Sequence, residues 1–197
     1  MQSVDGDDLD WELDGDLFHT NAVKILDGAG SERSAIFSNG NLLLTIRNLD
    51  LIAILDPKRE RLVWALSGMW HRQHEAVVLA TGNMLLFDNL GMRDHSRVIE
   101  FDPLTQEIVW SYGGEPDERF FSYCCGSNQR LSNGNTLITD TWNGRAFEVT
   151  ADKEVVWEFW NPHRAGKNQE LIACLFDLVR IAPDESLDWL DRPPSEP

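Results

Sequence analysis

HEAVVLATGNMLLFDNLGMRDHSRVIEFDPLTQEIVWSY, residues 74–112, holds hydrophobic runs separated by turn chemistry. Runs at 74–80 and 83–89 meet at Thr81-Gly82-Asn83, where glycine supplies the positive φ of a tight hairpin. After a polar tip, 97–101 ends on the turn initiator Asp102-Pro103, and 107–112 closes the unit around Trp110. β-Branched and aromatic runs between Gly, Asn and Asp turns predict four antiparallel strands.

The same pattern runs from Asn39-Gly40-Asn41 to Trp64 and from Asn133-Gly134-Asn135 to Trp157. Trp64, Trp110 and Trp157 are 46 and then 47 residues apart, the period of four-stranded propeller blades. The first unit is expected to have strands at 19–26, 41–47, 51–55 and 61–66, and the third at 128–131, 136–141, 145–149 and 155–160. The fold expected is all-β: a β-propeller of about three four-stranded blades plus a remnant, part of a larger propeller. Repeats fall at 19–67, 74–113 and 127–160 within a partial propeller at 17–190. An acidic segment, 1–16, precedes it, and a Pro-rich tail, 191–197, follows. The stretch 171–181 reads as one more strand or two short ones. Propellers close with about four to eight blades. Two explanations compete for the open ring, a larger propeller of which this is the C-terminal part or a homodimer, and the abrupt acidic start favours the first.

A net charge of −16 without a Lys/Arg cluster argues against nucleic acid, whose phosphates would be repelled. No run approaches the roughly 20 apolar residues of a membrane span, and 1–16 is acidic where an export signal is cationic, so the residues leave localisation unassigned. Cys124, Cys125 and Cys174 match no zinc spacing and read as thiols without chemistry.

In an up-and-down blade the start of the innermost strand and the end of the second reach the same face of the disc. That mouth is expected to collect His19, Asn21 and Arg47 from the first unit, His74 and Asn89 from the second, and Ser127 and Thr141 from the third. Such groups suit a tetrahedral oxyanion: arginine is a permanent fork of donors, amides and hydroxyls are neutral donors, and histidine serves as nucleophile or proton donor. His71, His95 and His163 are placed in connecting loops. The recurring tryptophans read as packing anchors. For Arg97 and Arg130, a carboxylate partner between blades and a place at the channel are left as alternatives.

His19-Thr20-Asn21-Ala22-Val23, Gln73-His74-Glu75, Leu86-Phe87-Asp88-Asn89, Ser96-Arg97-Val98 and the run from Gln129 to Leu137, in that order, resemble the aryl-sulfate sulfotransferase (arylsulfotransferase) family over about 17–160. The resemblance implies a six-bladed, periplasmic or secreted enzyme. It would move a sulfuryl group from an aryl sulfate to a phenol by a ping-pong route through a sulfohistidine, with neither 3′-phosphoadenosine phosphosulfate nor a metal. On that resemblance His74 is the nucleophile. His19, Asn21 and Arg47 bind the sulfuryl oxygens, and His19 protonates the departing phenolate. Asn89, Arg97, Ser127 and Thr141 are carried as substrate-binding candidates. The alternative is a non-catalytic propeller segment serving as a binding or assembly module. Convergence of His19, Arg47 and His74 on one anion-sized space separates the two.

Overall fold

A computed structural model describes residues 15–92, 94–182 and 185–188. The acidic segment up to residue 14 and the tail at 191–197 lie outside the described residues. Three four-stranded antiparallel sheets follow one another in strict up-and-down order. Blade 1 comprises β1 (Thr20–Ile25), β2 (Leu42–Ile46), β3 (Leu51–Asp56) and β4 (Arg61–Ser67). Blade 2 comprises β5 (His74–Val78), β6 (Met84–Met92), β7 (His95–Phe101) and β8 (Ile108–Tyr112). Blade 3 comprises β9 (Ser127–Arg130), β10 (Thr136–Asp140), β11 (Arg145–Val149) and β12 (Val155–Trp160). No described helix is long and apolar enough to cross a membrane.

Alternation along the strands puts apolar rows on both sides of the middle blade, and each row meets a neighbour. Met84, Leu86, Ile99 and Phe101 pack against Leu43, Ile52 and Ile54 of blade 1. Leu85, Phe87, Val98 and Tyr112 pack against Ile138, Phe147 and Val149 of blade 3. Polar contacts repeat with the blades. The Trp64 indole N–H donates to Pro103 O at 3.2 Å, and Trp110 donates to Ala151 O at 3.0 Å. Each tryptophan therefore clamps its sheet to the outer hairpin of the next, as well as packing.

Two expectations change. His95, placed in a loop, opens β7 and is buried, because the β6–β7 hairpin runs to Met92 before it turns. In 171–181 only Leu171–Ile172, as β14, forms a strand, paired with β13 (Arg164–Ala165). The rest is extended chain lying along blade 3. Leu175 N donates to Thr141 O at 3.2 Å, and Gln129 exchanges two side-chain bonds with the backbone of Arg180. Arg180 pairs with Glu148 at 2.9 Å and lies over Trp157, repeating what Arg130 does with Glu100 and Trp110. Residues 174–181 thus occupy the place that the innermost strand of a following blade would take.

Candidate functional site

The innermost strands do not start cleanly. Pairing slips between Thr20 and Ala22 in β1 and between His74 and Val77 in β5, a bulge in each. His19, Glu75 and Cys125 all carry left-handed backbone, with φ of 47°, 49° and 56°. Non-glycine residues in that region are uncommon, and bulges re-aim side chains. The three inner strands therefore share a strained opening at one end of the disc.

Around it, blade 1 and blade 2 are sewn together. Arg47 N donates to His19 O at 3.0 Å, so the end of β2 is held to the start of β1. The Asn21 amide donates to Gln73 O at 2.9 Å, and the buried Gln73 amide donates to Ile46 O and Leu51 O. Asp50, itself at φ 49°, accepts from Arg72 N at 2.7 Å and holds the His71 ring at 2.7 Å. These contacts deliver His74 to the ends of β2 and β3.

His74 is the centre. Its Nδ1 lies 2.8 Å from Asn89 Oδ1 and 3.2 Å from Arg72 O. Asn89 is fully buried, and its NH₂ donates to Ser122 O and Cys125 O at 2.8 Å each, which fixes Oδ1 toward the histidine. Both neighbours of Nδ1 are acceptors, so Nδ1 carries the proton and Nε2 keeps its lone pair. Burial first, then the charges of Arg47 and His19, lower the His74 pKa to about 4 against the opposing hydrogen bonds to Asn89 and Arg72. Arg47 is 2% exposed, a guanidinium held inside the fold. His19 faces Asp16 at 3.0 Å.

The other candidates are engaged elsewhere. Arg97 donates through Nε to Asp88, within its own blade, and through Nη2 to Met69 O, both at 2.8 Å. Ser127 lies against Thr139 and Asp177. The Thr141 hydroxyl accepts from Gly126 N and donates to Phe176 O. Hence the structure brings together His19, Asn21, Arg47, His74 and Asn89, while the third blade's hydroxyls sit beneath residues 174–177. Asp16, Asp50 and Gln73 were given no site role in the sequence. Only Gln73, within the quoted Gln-His motif, carried a signal. An open groove of about 730 Å³ lined by Lys24, Glu75, Asn128, Arg130 and Asp177 follows the inner strands, and Glu75 links it to the histidine.

The profile of the arylsulfotransferase (ASST) family matches residues 2–162. The chain belongs to the arylsulfotransferase family. No curated protein matches it. Among solved structures it is similar to the WD40 β-propeller domain of Doa1, at 14% identity and a TM-score of 0.50, covering 73% of this chain and 41% of that one. It is also similar to the Dos1 propeller, at 9% identity and a TM-score of 0.51, covering 75% and 36%. Virginiamycin B lyase from Staphylococcus aureus follows at 13% identity and a TM-score of 0.47, covering 76% and 43%. At such identities the likenesses to Doa1 and Dos1 speak to the propeller fold alone. This arylsulfotransferase-family chain spans about two-fifths of the length of the propellers it resembles.

Proposed function

We propose that the chain carries the nucleophile-bearing part of an aryl-sulfate sulfotransferase. The observation that carries this is His74: kept neutral by burial, its Nδ1–H directed at two acceptor oxygens, and under the charge of the buried Arg47 and of the half-exposed His19. In the first half-reaction, Nε2 forms a bond to the sulfur of an aryl sulfate. The bond from sulfur to the aryl oxygen breaks, and the phenolate leaves with its electron pair. A proton from His19, whose ring Asp16 orients, meets that oxygen. In the second, a phenol oxygen attacks the same sulfur, the N–S bond breaks, and the phenol's proton passes to His19. Charge on the peripheral oxygens is constant in sign throughout, so the fixed guanidinium of Arg47 suits both halves.

Within this reading Asn89 positions the nucleophile and leaves the substrate alone, because both hydrogens of its amide are engaged by the fold. Arg97 braces blade 2. Incubation with 4-nitrophenyl sulfate and phenol tests the assignment. The chain should release nitrophenolate, His74→Ala should lose it by at least a hundredfold, and His163→Ala should retain it. Equal loss in the two variants removes the role given to His74.

A further inference from the structure

The sulfuryl end of the substrate meets His74 and Arg47, but its aryl ring needs an apolar seat close by. One cluster offers it. Phe121 and Tyr123 meet edge-to-face with centroids 6.5 Å apart, and Tyr123 and Trp142 do the same at 6.1 Å. Trp142 follows Thr141, the residue at the mouth end of the third blade's second strand, and Phe121 and Tyr123 precede β9 on the same side. The trio therefore lies at the end of the disc where His74 sits.

Its connection to His74 is short. The Asn89 amide whose oxygen holds His74 grips Ser122 O and Cys125 O, the carbonyls on either side of Tyr123. One side chain thus separates the imidazole from the loop bearing the rings. That loop is rigid. Ser122 N donates to Ser96 Oγ at 3.0 Å, Trp142 N donates to Ser122 Oγ at 3.1 Å, and the Asn143 amide donates to Phe121 O at 2.8 Å. Ser122 and Thr141 are buried, whereas Trp142 is 44% exposed and Phe121 and Tyr123 are half-buried. A hydrogen-bonded base under partly exposed rings suits aromatic recognition, since rigid rings lose little entropy on contact. A cluster serving only to cover the loop has no reason to leave its largest ring open.

We propose that Phe121, Tyr123 and Trp142 form the platform that holds the aromatic ring of the sulfate donor, and then that of the phenol acceptor, while sulfur meets His74. The proposal deepens the sulfuryl-transfer reading and rests on it. The ligand class is a planar monocyclic phenol or its sulfate ester.

Calorimetric binding of 4-nitrophenol and, separately, of inorganic sulfate to the His74→Ala chain tests the platform without turnover. Trp142→Ala and Tyr123→Ala, each added to that background, should weaken 4-nitrophenol about five- to tenfold and leave sulfate unchanged, while Trp142→Phe should retain most of the affinity. Thermal melting checks that the substitutions at the exposed Trp142 and the half-buried Tyr123 have left the fold intact. Three results overturn the platform: unchanged 4-nitrophenol affinity in both alanine variants, equal weakening toward the two ligands, or no 4-nitrophenol binding by the His74→Ala parent. Ring-dependent nitrophenol binding in a chain that releases no nitrophenolate has a different meaning. It sinks the transfer reading and leaves an aryl-binding site.

Discussion

At His74 one environment has two consequences, because burial that keeps the imidazole neutral also sets how pH acts on the fold. With its pKa lowered to about 4 in the folded chain, against about 6.5 when unfolded, His74 is protonated first in the unfolded state as pH falls. The unfolded state therefore binds more protons between those values, and stability drops as pH goes down through that window. The His74 contribution to that loss should be about 2 kcal/mol at pH 5. Asp140 opposes it: burial raises its carboxyl to about 6, so the folded state takes the proton first and gains stability from about pH 6 downward. Urea unfolding of the parent and of His74→Leu at pH 7 and pH 5 separates the two. The stability gap should move in favour of the leucine variant at the lower pH. The fall in the first half-reaction that belongs to protonation of His74 should come only as pH approaches 4; an acid-side midpoint near 6.5 would mean that the imidazole is not desolvated.

Elements hold because repeats supply the same geometry at each blade, and a glycine shows where there is no slack. At Gly126, φ is +99° and a Cβ would stand 2.6 Å from the Phe87 ring, at the start of β9. At Gly40, φ is +87° but a Cβ would meet nothing. Gly126→Ala should therefore cost about 3 kcal/mol, backbone strain plus a displaced core ring, while Gly40→Ala should cost about 1 kcal/mol. Chemical denaturation of both variants checks the ratio, and equal costs would show that the ring yields. Element reading from sequence was nearly complete, because β11 and β12 carry the boundaries expected and the others shift by a residue or a few. His95 was misplaced since a long β6–β7 hairpin has no Gly-Asn signal where it turns. The segment after Ile172 was over-read as strand: single contacts such as the Gln129–Arg180 pair hold it to blade 3 in place of a ladder, and its Phe176 and Val179 stay exposed.

On the scale of the whole molecule, the two outer flanks differ. Blade 1 presents Val23 and Ile25, both exposed, whereas the inner half of blade 3 is covered by residues 174–181. A second copy that completed a ring would need its own β1 where those residues lie. Light scattering should accordingly show a monomer of about 22 kDa, the mass of the chain being 22.4 kDa. Twice that mass would mean that the C-terminal segment swings away and that the assembly reading is correct.

The sequence alone determined the blades and the mouth of the disc, because strand alternation and the tryptophan period are local properties that any copy of the repeat must obey. It also chose His19, Arg47 and His74 as the residues to follow. Only tertiary structure decided what those residues become. The tautomer of His74 comes from Asn89 and Arg72, the setting of His19 from Asp16, and the engagement of Arg97, Ser127 and Thr141 from partners across or beyond their strands. Hydrogen-bond partners are set by where left-handed turns and a folded-back segment bring distant atoms within about 3 Å, and no periodicity encodes that distance.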